Sequence, residues 1–180
     1  MAPQLSSNTH RITKRTAAKA KPASKTKSKD SDRVDTDVLL SIHSVHLANI
    51  ASRQKNHEYR KYRLRDGVER LWLYETAVNG GKSSITHVAV IPDSVRHTPG
   101  FVPAEPFGIG NEDFNAGRKE SKFGYPILEL YELVKPVTLA EMKSKWGMSV
   151  PMGWCYMKPA LWMDRWGDGD DKTDKVKKVF

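Results

Sequence analysis

The sequence has a single cysteine, Cys155, among 180 residues. One thiol cannot form an internal disulfide or a multi-cysteine zinc site, and this scarcity is typical of a reducing compartment. No apolar run approaches the roughly 20 residues that span a bilayer, and the N-terminal segment has no apolar core of the secretory type. These absences predict a soluble protein that has no membrane partner and is not secreted by the usual route.

Metal and cofactor motifs are also scarce. The six histidines form no HxH or HxxxH pair, so we expect no zinc site and no cofactor. Asp164 and the acids that follow it resemble a calcium loop only in their density, because they lack its ligand spacing and closing glutamate. The sequence therefore predicts that residues 164–180 form a charged C-terminal tail.

Acidic residues are missing from residues 1–29, which carry eight lysines and arginines. The net charge of the chain is +9, so only about one unit belongs to the rest. A Lys-rich segment with few apolar residues cannot bury enough surface to fold, and residues 1–33 are predicted to be a disordered tail. Such a tail serves as a nuclear import signal, a phosphate-binding arm, an organelle transit peptide or a solubilising segment. Lysine outnumbers arginine and Pro22 interrupts the tail, which favours the nucleus over the mitochondrion or the cytoplasm.

Hydrophobic residues make up 38% of the chain, enough for one compact domain, predicted over residues 34–163. A strand at 37–42 leads into a helix at 44–53 capped by Ser44. Strands at 57–64 and 69–76 flank the turn signal Asp66–Gly67 and predict a hairpin, with Trp72 and Tyr74 in the core. The sequence also predicts a third strand at 84–91, a long loop at 92–124 with one helical turn, a last strand at 126–134, and a helix started by Thr138 and Glu141 and stopped by Gly147. Five strands in about a hundred residues predict a mostly β, α+β fold closed into a barrel.

The stretch KNHEYRKYRLR, residues 55–65, places one acid among six bases. Its alternation predicts that Glu58, Arg60, Tyr62 and Leu64 face inward. Glu58 could accept hydrogen bonds from an exocyclic amine of a base while Arg60 contacts a phosphate or a base. The alternative is that Glu58 and Arg60 form a structural ion pair that closes the end of the barrel. Lys61 faces outward, either as solvated charge or on a phosphate track.

The order of motifs resembles the ASCH domain, a branch of the PUA-like β-barrel superfold. LLSIHSVHLANIASRQKNHEYRK is similar to the family's opening strand, helix and signature, in which Lys, Glu and Arg stand at the positions of Lys55, Glu58 and Arg60. LWLYET, GRKESKFGYPILEL and LVKPVTLAEMKSKWG resemble later segments, and the resemblance covers residues 37–162. There are departures: Arg53 stands where the family usually has glycine, the basic residue after the first strand is His43, and the loop around PDSVRHTPGFVPAEP is longer than we expect.

The resemblance implies a function linked to nucleic acid, mostly RNA, with a binding cleft between the first helix and the barrel. Some small bacterial members are amidohydrolases that act on N4-acetylcytidine through a lysine, a threonine three residues later and a distant glutamate. In this chain Glu58 occupies the position of that threonine. A carboxylate cannot replace a hydroxyl nucleophile directly, so the resemblance favours recognition over catalysis.

We therefore hypothesise a protein that binds RNA, or another single-stranded nucleic acid, by holding a base or nucleotide in the cleft while the tail adds nonspecific affinity. Trp154 and Tyr156 are candidates for base stacking. An amidohydrolase with Lys55 and Glu58 as proton-transfer groups is the alternative. A third possibility is a chromatin or ribonucleoprotein component with an empty cleft. The predicted nucleic-acid-binding residues are His43, Lys55, Glu58, Arg60, Lys61, Trp154 and Tyr156.

Overall fold

The structure of the chain, a computed structural model, describes residues 32–180 except for the side chains of residues 170 and 171. The predicted tail, residues 1–33, lies almost wholly outside the described residues. No helix of the described part is long and apolar enough to cross a membrane. The elements are β1 (Val34–Ile42), α1 (Ser44–Ala51), β2 (His57–Arg60), β3 (Arg70–Glu75), a 3-10 helix (Val78–Gly80), β4 (Ser84–Val90), α2 (Asn111–Asn115), β5 (Phe123–Pro126), β6 (Glu129–Thr138), α3 (Leu139–Trp146), β7 (Trp154–Met157), α4 (Pro159–Arg165), a 3-10 helix (Gly169–Lys172) and β8 (Val176–Lys178).

Six strands form one mixed sheet in the order β7-β1-β3-β4-β6-β8, and β2 pairs with β5 in a separate two-stranded sheet. Only the β1–β3 pair of the large sheet is parallel among the described strands. The predicted mostly β, α+β class is confirmed. The predicted closed barrel is wrong, because β2 ends after four residues and its described ladder runs only to β5.

The central strands are buried on both faces, as their nearly continuous apolar sequences require. In β1, Val38, Leu40 and Ile42 pack into one core beneath α1, whereas Leu39 packs into a second core on the other face. Strand β3 alternates in the same way, and its Trp72 and Tyr74 lie in the second core with α3 and α4 residues. Their predicted place in the core is confirmed.

The predicted hairpin around Asp66–Gly67 is wrong. Residues 66 and 67 do form a turn, with Gly67 at a φ of 87°. The strand that follows, β3, however, lies parallel to β1 and antiparallel to β4. A parallel pair requires a crossover connection, and the chain between β1 and β3 supplies it with α1 and β2. Burial follows the predicted alternation over residues 61–65, with Leu64 fully buried, but not in β2, where His57 and Glu58 are both buried.

Several predicted boundaries of helices and strands differ from those in the structure. The N-cap of α1 is His43 in an extended conformation, not the predicted Ser44, and the helix stops at Ala51. The predicted strand at 126–134 is two strands, because the chain passes from β5 of the small sheet to β6 of the large one. In α3 the predicted cap is confirmed, since Thr138 Oγ1 accepts from the Glu141 amide at 3.2 Å and Gly147 is left-handed.

The C-terminal segment is part of the folded unit. Trp166 is 4% exposed in the second core, and Val176 is 6% exposed on β8, which pairs with β6. The prediction that residues 164–180 form a charged tail is therefore wrong for this part of the chain. The four large apolar residues of this segment, Trp166, Val176, Val179 and Phe180, are scattered among many charges and give too weak a pattern for sequence analysis to detect.

Candidate functional site

A cleft of about 300 Å³ opens where β1 and β3 end and α1 begins. Strand β2 and its Glu58 lie against this opening. Because β1 and β3 are parallel, their carboxyl ends meet at one edge, a common place for a binding site in a sheet with parallel strands. The lining side chains are Ser41, Ile42, His43, His46, Glu58, Tyr59, Arg60 and Thr76.

Glu58 connects two cations at the base of this cleft. It is 5% exposed, its Oε2 accepts from Lys55 Nζ, and its Oε1 lies 2.8 Å from Arg60 Nη2. Burial by itself would raise the pKa of Glu58, but the charges of Lys55 and Arg60 and the hydrogen bond from Lys55 outweigh it and lower the pKa. Glu58 is therefore an ionised acceptor at neutral pH.

Arg60 gives the cluster its exposed surface. Its side chain is 18% exposed, and its Nη2 also donates to the Ser41 carbonyl at 2.7 Å, which fixes the guanidinium to the end of β1. Its buried Nε has no hydrogen-bond partner among the described residues. The exposed part of the guanidinium lines the cleft, where its N–H groups can donate to a ligand.

The opposite wall of the cleft carries two histidines and a threonine. His43 is exposed, and its Nδ1 lies 3.3 Å from Thr76 Oγ1. The rings of His43 and His46 meet edge-on at 6.2 Å. Burial and the nearby charge of Lys55 lower the pKa of His46. At neutral pH His46 is therefore an uncharged ring with one donor and one acceptor nitrogen.

The long loop at 92–124 supports Tyr59, one of the lining residues, through α2. Tyr59 donates its hydroxyl to Asn111 Oδ1 at 2.7 Å, and its ring packs 4.5 Å from that of Phe114. The ammonium groups of Lys55 and Lys119 lie 5.8 and 5.7 Å from the Tyr59 ring. Burial, and then the charge of Glu58, raises the pKa of Tyr59, so its hydroxyl stays protonated. The loop therefore holds one side of the cleft in place.

The predicted site residues divide into two groups. His43, Glu58 and Arg60 line the cleft, and Lys55 reaches it through Glu58. Lys61 lies outside it, 69% exposed and paired with Glu120. Trp154 and Tyr156 lie on β7, 5.0 Å apart and edge-on to each other, and line another groove of about 590 Å³. Their predicted roles in binding remain predictions.

Sequence reasoning missed His46, Tyr59, Thr76 and Ser41. His46 is one helical turn from His43, so the helical spacing could have placed both at one end of α1. Thr76 could be found only by pairing β1 with β3, which the hairpin prediction prevented. Tyr59 alternates away from Glu58 in the sequence, and it joins the cleft because α2 packs against its ring.

The open mixed sheet, with its cleft at the start of α1, has the fold of solved ASCH structures. This confirms the predicted resemblance to the ASCH domain. A serine-to-alanine variant of ZmASCH from Zymomonas mobilis is similar to 74% of this chain and 94% of its own, with 16% identity and a TM-score of 0.52. A tyrosine-to-phenylalanine variant of the same protein covers 72% and 95%, with 14% identity and a TM-score of 0.50. No protein-family model and no curated protein sequence matches the chain. At this identity the likeness shows the fold.

Proposed function

We propose that the cleft binds an unpaired nucleotide of RNA. The observation that carries the proposal is the ionised Glu58, held between Lys55 and Arg60 at the base of an open cleft. A buried carboxylate with a lowered pKa accepts hydrogen bonds without taking up the proton, and an arginine beside it donates. An RNA base with both an amine and a carbonyl or ring-nitrogen acceptor matches this pair.

The size and charge of the cleft fit a nucleotide. About 300 Å³ is at the small end of ligand pockets and suits one base with its sugar. Each oxygen of Glu58 already accepts from one cation, and each has a second lone pair for an exocyclic amine. Lys55 and Arg60 leave the cluster one positive charge in excess, which favours a ligand that carries a phosphate.

The basic N-terminal segment adds to this proposal. Residues 1–29 carry eight positive charges, which would bind phosphates without regard to sequence, while the cleft selects the nucleotide. We place the protein in the nucleus, with RNA or a ribonucleoprotein or chromatin complex as its partner. Trp154 and Tyr156 are proposed to stack on bases further along the strand.

The test compares Arg60→Ala with Lys61→Ala in the full chain. Both variants remove one positive charge from neighbouring positions, but only Arg60 lines the cleft. We expect Arg60→Ala to weaken binding of a fluorescein-labelled 12-nucleotide RNA about tenfold or more, since a charge-assisted bond contributes about 1.5–3 kcal/mol. Lys61→Ala should change the affinity less than about twofold. Fluorescence anisotropy at about 0.15 M salt reduces the contribution of the tail.

Two results would contradict the proposal. One is equal affinity of the Arg60 and Lys61 variants, because the cleft would then contribute nothing. The other is complete loss of binding when residues 1–33 are deleted, because the tail would then account for all of the affinity. A DNA 12-mer of the same sequence shows whether the site distinguishes the sugar.

Hydrolysis of a modified nucleoside such as N4-acetylcytidine is a second candidate, favoured by the contact of 3.3 Å between Thr76 Oγ1 and His43 Nδ1. A histidine beside a hydroxyl is the arrangement that activates a nucleophile. Glu58 fits the reaction less well, because a carboxylate with a lowered pKa is a weak general base. If the purified protein releases acetate from N4-acetylcytidine and Thr76→Val does not, the site is catalytic; if neither does, this candidate is wrong.

A further inference from the structure

A second pocket, of about 420 Å³, is lined by Lys55. The Nζ of Lys55 contacts Glu58, which lines the cleft. The ion pair of Lys55 and Glu58 therefore links the two pockets. The other lining residues are Arg53, Asn56, Pro106, Phe107, Ile127 and Phe180.

Phe107 is a large apolar side chain held at the surface. It is 71% exposed, although its backbone is anchored on both sides. Asn56 Nδ2 donates to the Pro106 carbonyl at 2.8 Å, and the Ile109 amide donates to the Gln54 carbonyl at 2.8 Å. Between them, Gly108 approaches Asn56 so closely that a Cβ would lie 2.1 Å from its Oδ1. An aromatic ring presented in this way has apolar surface available for a ligand.

Arg53 supplies a guanidinium to the same pocket from a strained position. Its φ is 62°, in the left-handed region that glycine adopts without strain, and it stands where the resemblance to the ASCH domain leads us to expect glycine. Its Cζ lies 4.7 Å from the centre of the Phe180 ring. An arginine that keeps such a backbone conformation places a flat cation on an aromatic ring at the pocket, an arrangement on which bases stack.

We propose that this pocket holds the neighbouring unpaired base of the strand whose nucleotide occupies the cleft. The inference rests on the proposed function and deepens it, because the ligand becomes a single strand of two or more nucleotides. Arg53 and Lys55 supply positive charge for the phosphate that links the two bases. Glu105 is the nearby acid, and its Oε2 already accepts from the Phe107 amide at 3.2 Å. Phe107 and the Arg53–Phe180 pair supply the stacking surfaces.

Two variants test the pocket, each with a matched control. Phe107→Ala is compared with Phe101→Ala, which removes a ring 74% exposed on the same loop but outside the pocket. Arg53→Gly is compared with Lys61→Ala, which removes the same charge elsewhere. Glycine adopts the left-handed backbone at position 53 without strain, so the substitution adds no backbone strain to the folded state. The probes are the labelled 12-nucleotide RNA and cytidine monophosphate, each with the full chain.

We expect Phe107→Ala and Arg53→Gly each to weaken binding of the 12-mer about five- to tenfold, at the low end of the effect of losing one stacked base. Binding of the mononucleotide should change less than about twofold. If Phe107→Ala and Phe101→Ala bind the 12-mer equally, the second subsite is wrong, whatever the mononucleotide does. If Arg60→Ala has no effect on either probe, the proposed function is wrong, and the proposed subsite for the neighbouring base is wrong with it.

Discussion

Two buried carboxylates in the described residues, 32–180, have an arginine partner, and they differ in what surrounds them. Asp37 on β1 is fully buried and pairs with Arg70; Glu58 on β2 is 5% exposed and pairs with Arg60. Both arginine side chains are 18% exposed. Burial by itself therefore does not separate a structural pair from a binding site.

The two pairs do differ in how many hydrogen bonds their charged groups make within the protein. Arg70 donates to both oxygens of Asp37, at 2.7 and 2.8 Å, and Trp72 Nε1 and Thr36 Oγ1 add bonds of 2.8 and 2.6 Å. Trp166 lies 5.7 Å from the Arg70 guanidinium. Around Glu58, by contrast, the carboxylate lines a cleft, and Arg60 Nε has no partner in the described part of the chain. The Asp37 cluster is enclosed within the protein, whereas the Glu58 cluster opens onto a cleft.

The largest expected effect comes from breaking the complete cluster. Asp37→Ala leaves Arg70 without its buried counter-charge and Trp72 Nε1 without an acceptor, which should lower the free energy of unfolding by about 3–5 kcal/mol. Asp35→Ala is the control, because Asp35 belongs to an exposed pair worth less than about 1 kcal/mol. Urea denaturation measures both. Equal losses in the two variants would show that the Asp37 cluster does not stabilise the fold.

A smaller loss of stability is expected at the candidate site. Glu58→Gln keeps the shape but removes the charge between Lys55 and Arg60, at an expected cost of about 2–3 kcal/mol. The cost is below that at Asp37, because a cleft of about 300 Å³ can admit water to the two cations. Affinity for the 12-mer should fall together with stability. Glu120→Gln, at the exposed partner of Lys61, is the control and should change neither quantity.

The dependence of stability on pH sharpens the comparison. Glu58 is buried in its charged form, whereas its neighbour His57 is buried in its neutral form. Burial, with His97 and Lys55, lowers the pKa of His57 to about 4, and its Nε2 is buried without a partner among the described residues. The neutral His57 ring makes its full contribution to the free energy of unfolding above pH 6.5. It is lost as the pH falls toward 4, because the unfolded chain takes up the proton first.

Between pH 7 and pH 5 this group should therefore lower the free energy of unfolding by about 2 kcal/mol. His57→Gln should remove that part of the pH dependence, and His43→Gln, at an exposed histidine, should leave it intact. Urea denaturation of the three proteins at both pH values measures the difference. An unchanged pH dependence in His57→Gln would mean that His57 is not the group that titrates.

Local patterns in the sequence predicted much of this fold. The alternation over residues 61–65 and the cap of α3 depend on neighbours within a few residues, and both are found. Lateral pairing of strands has no such local signal. The parallel match of β1 with β3, and the two-residue separation of β5 from β6, depend on packing across the whole domain. The barrel and hairpin predictions failed for this reason.

The candidate site, like the fold, was predictable only where its residues are close in the chain. The signature placed Lys55, Glu58 and Arg60 together, because they are close in the chain. Thr76 and the α2 residues that pack against Tyr59 come from distant segments, and no spacing in the sequence joins them to Glu58. In the sequence, Arg53 was notable only because the resemblance to the ASCH domain leads us to expect glycine at its position. Its left-handed backbone gives that departure a physical meaning.

The most direct measurement is an NMR titration of the isotope-labelled full chain with a 12-nucleotide RNA at about 0.15 M salt. Binding in the cleft predicts that backbone amide shifts concentrate at His43, His46, Tyr59, Arg60 and Thr76, with smaller changes in the N-terminal segment. The Asp37 and Arg70 amides should stay in place. Shifts confined to residues 1–31 would contradict the proposal that the cleft binds RNA.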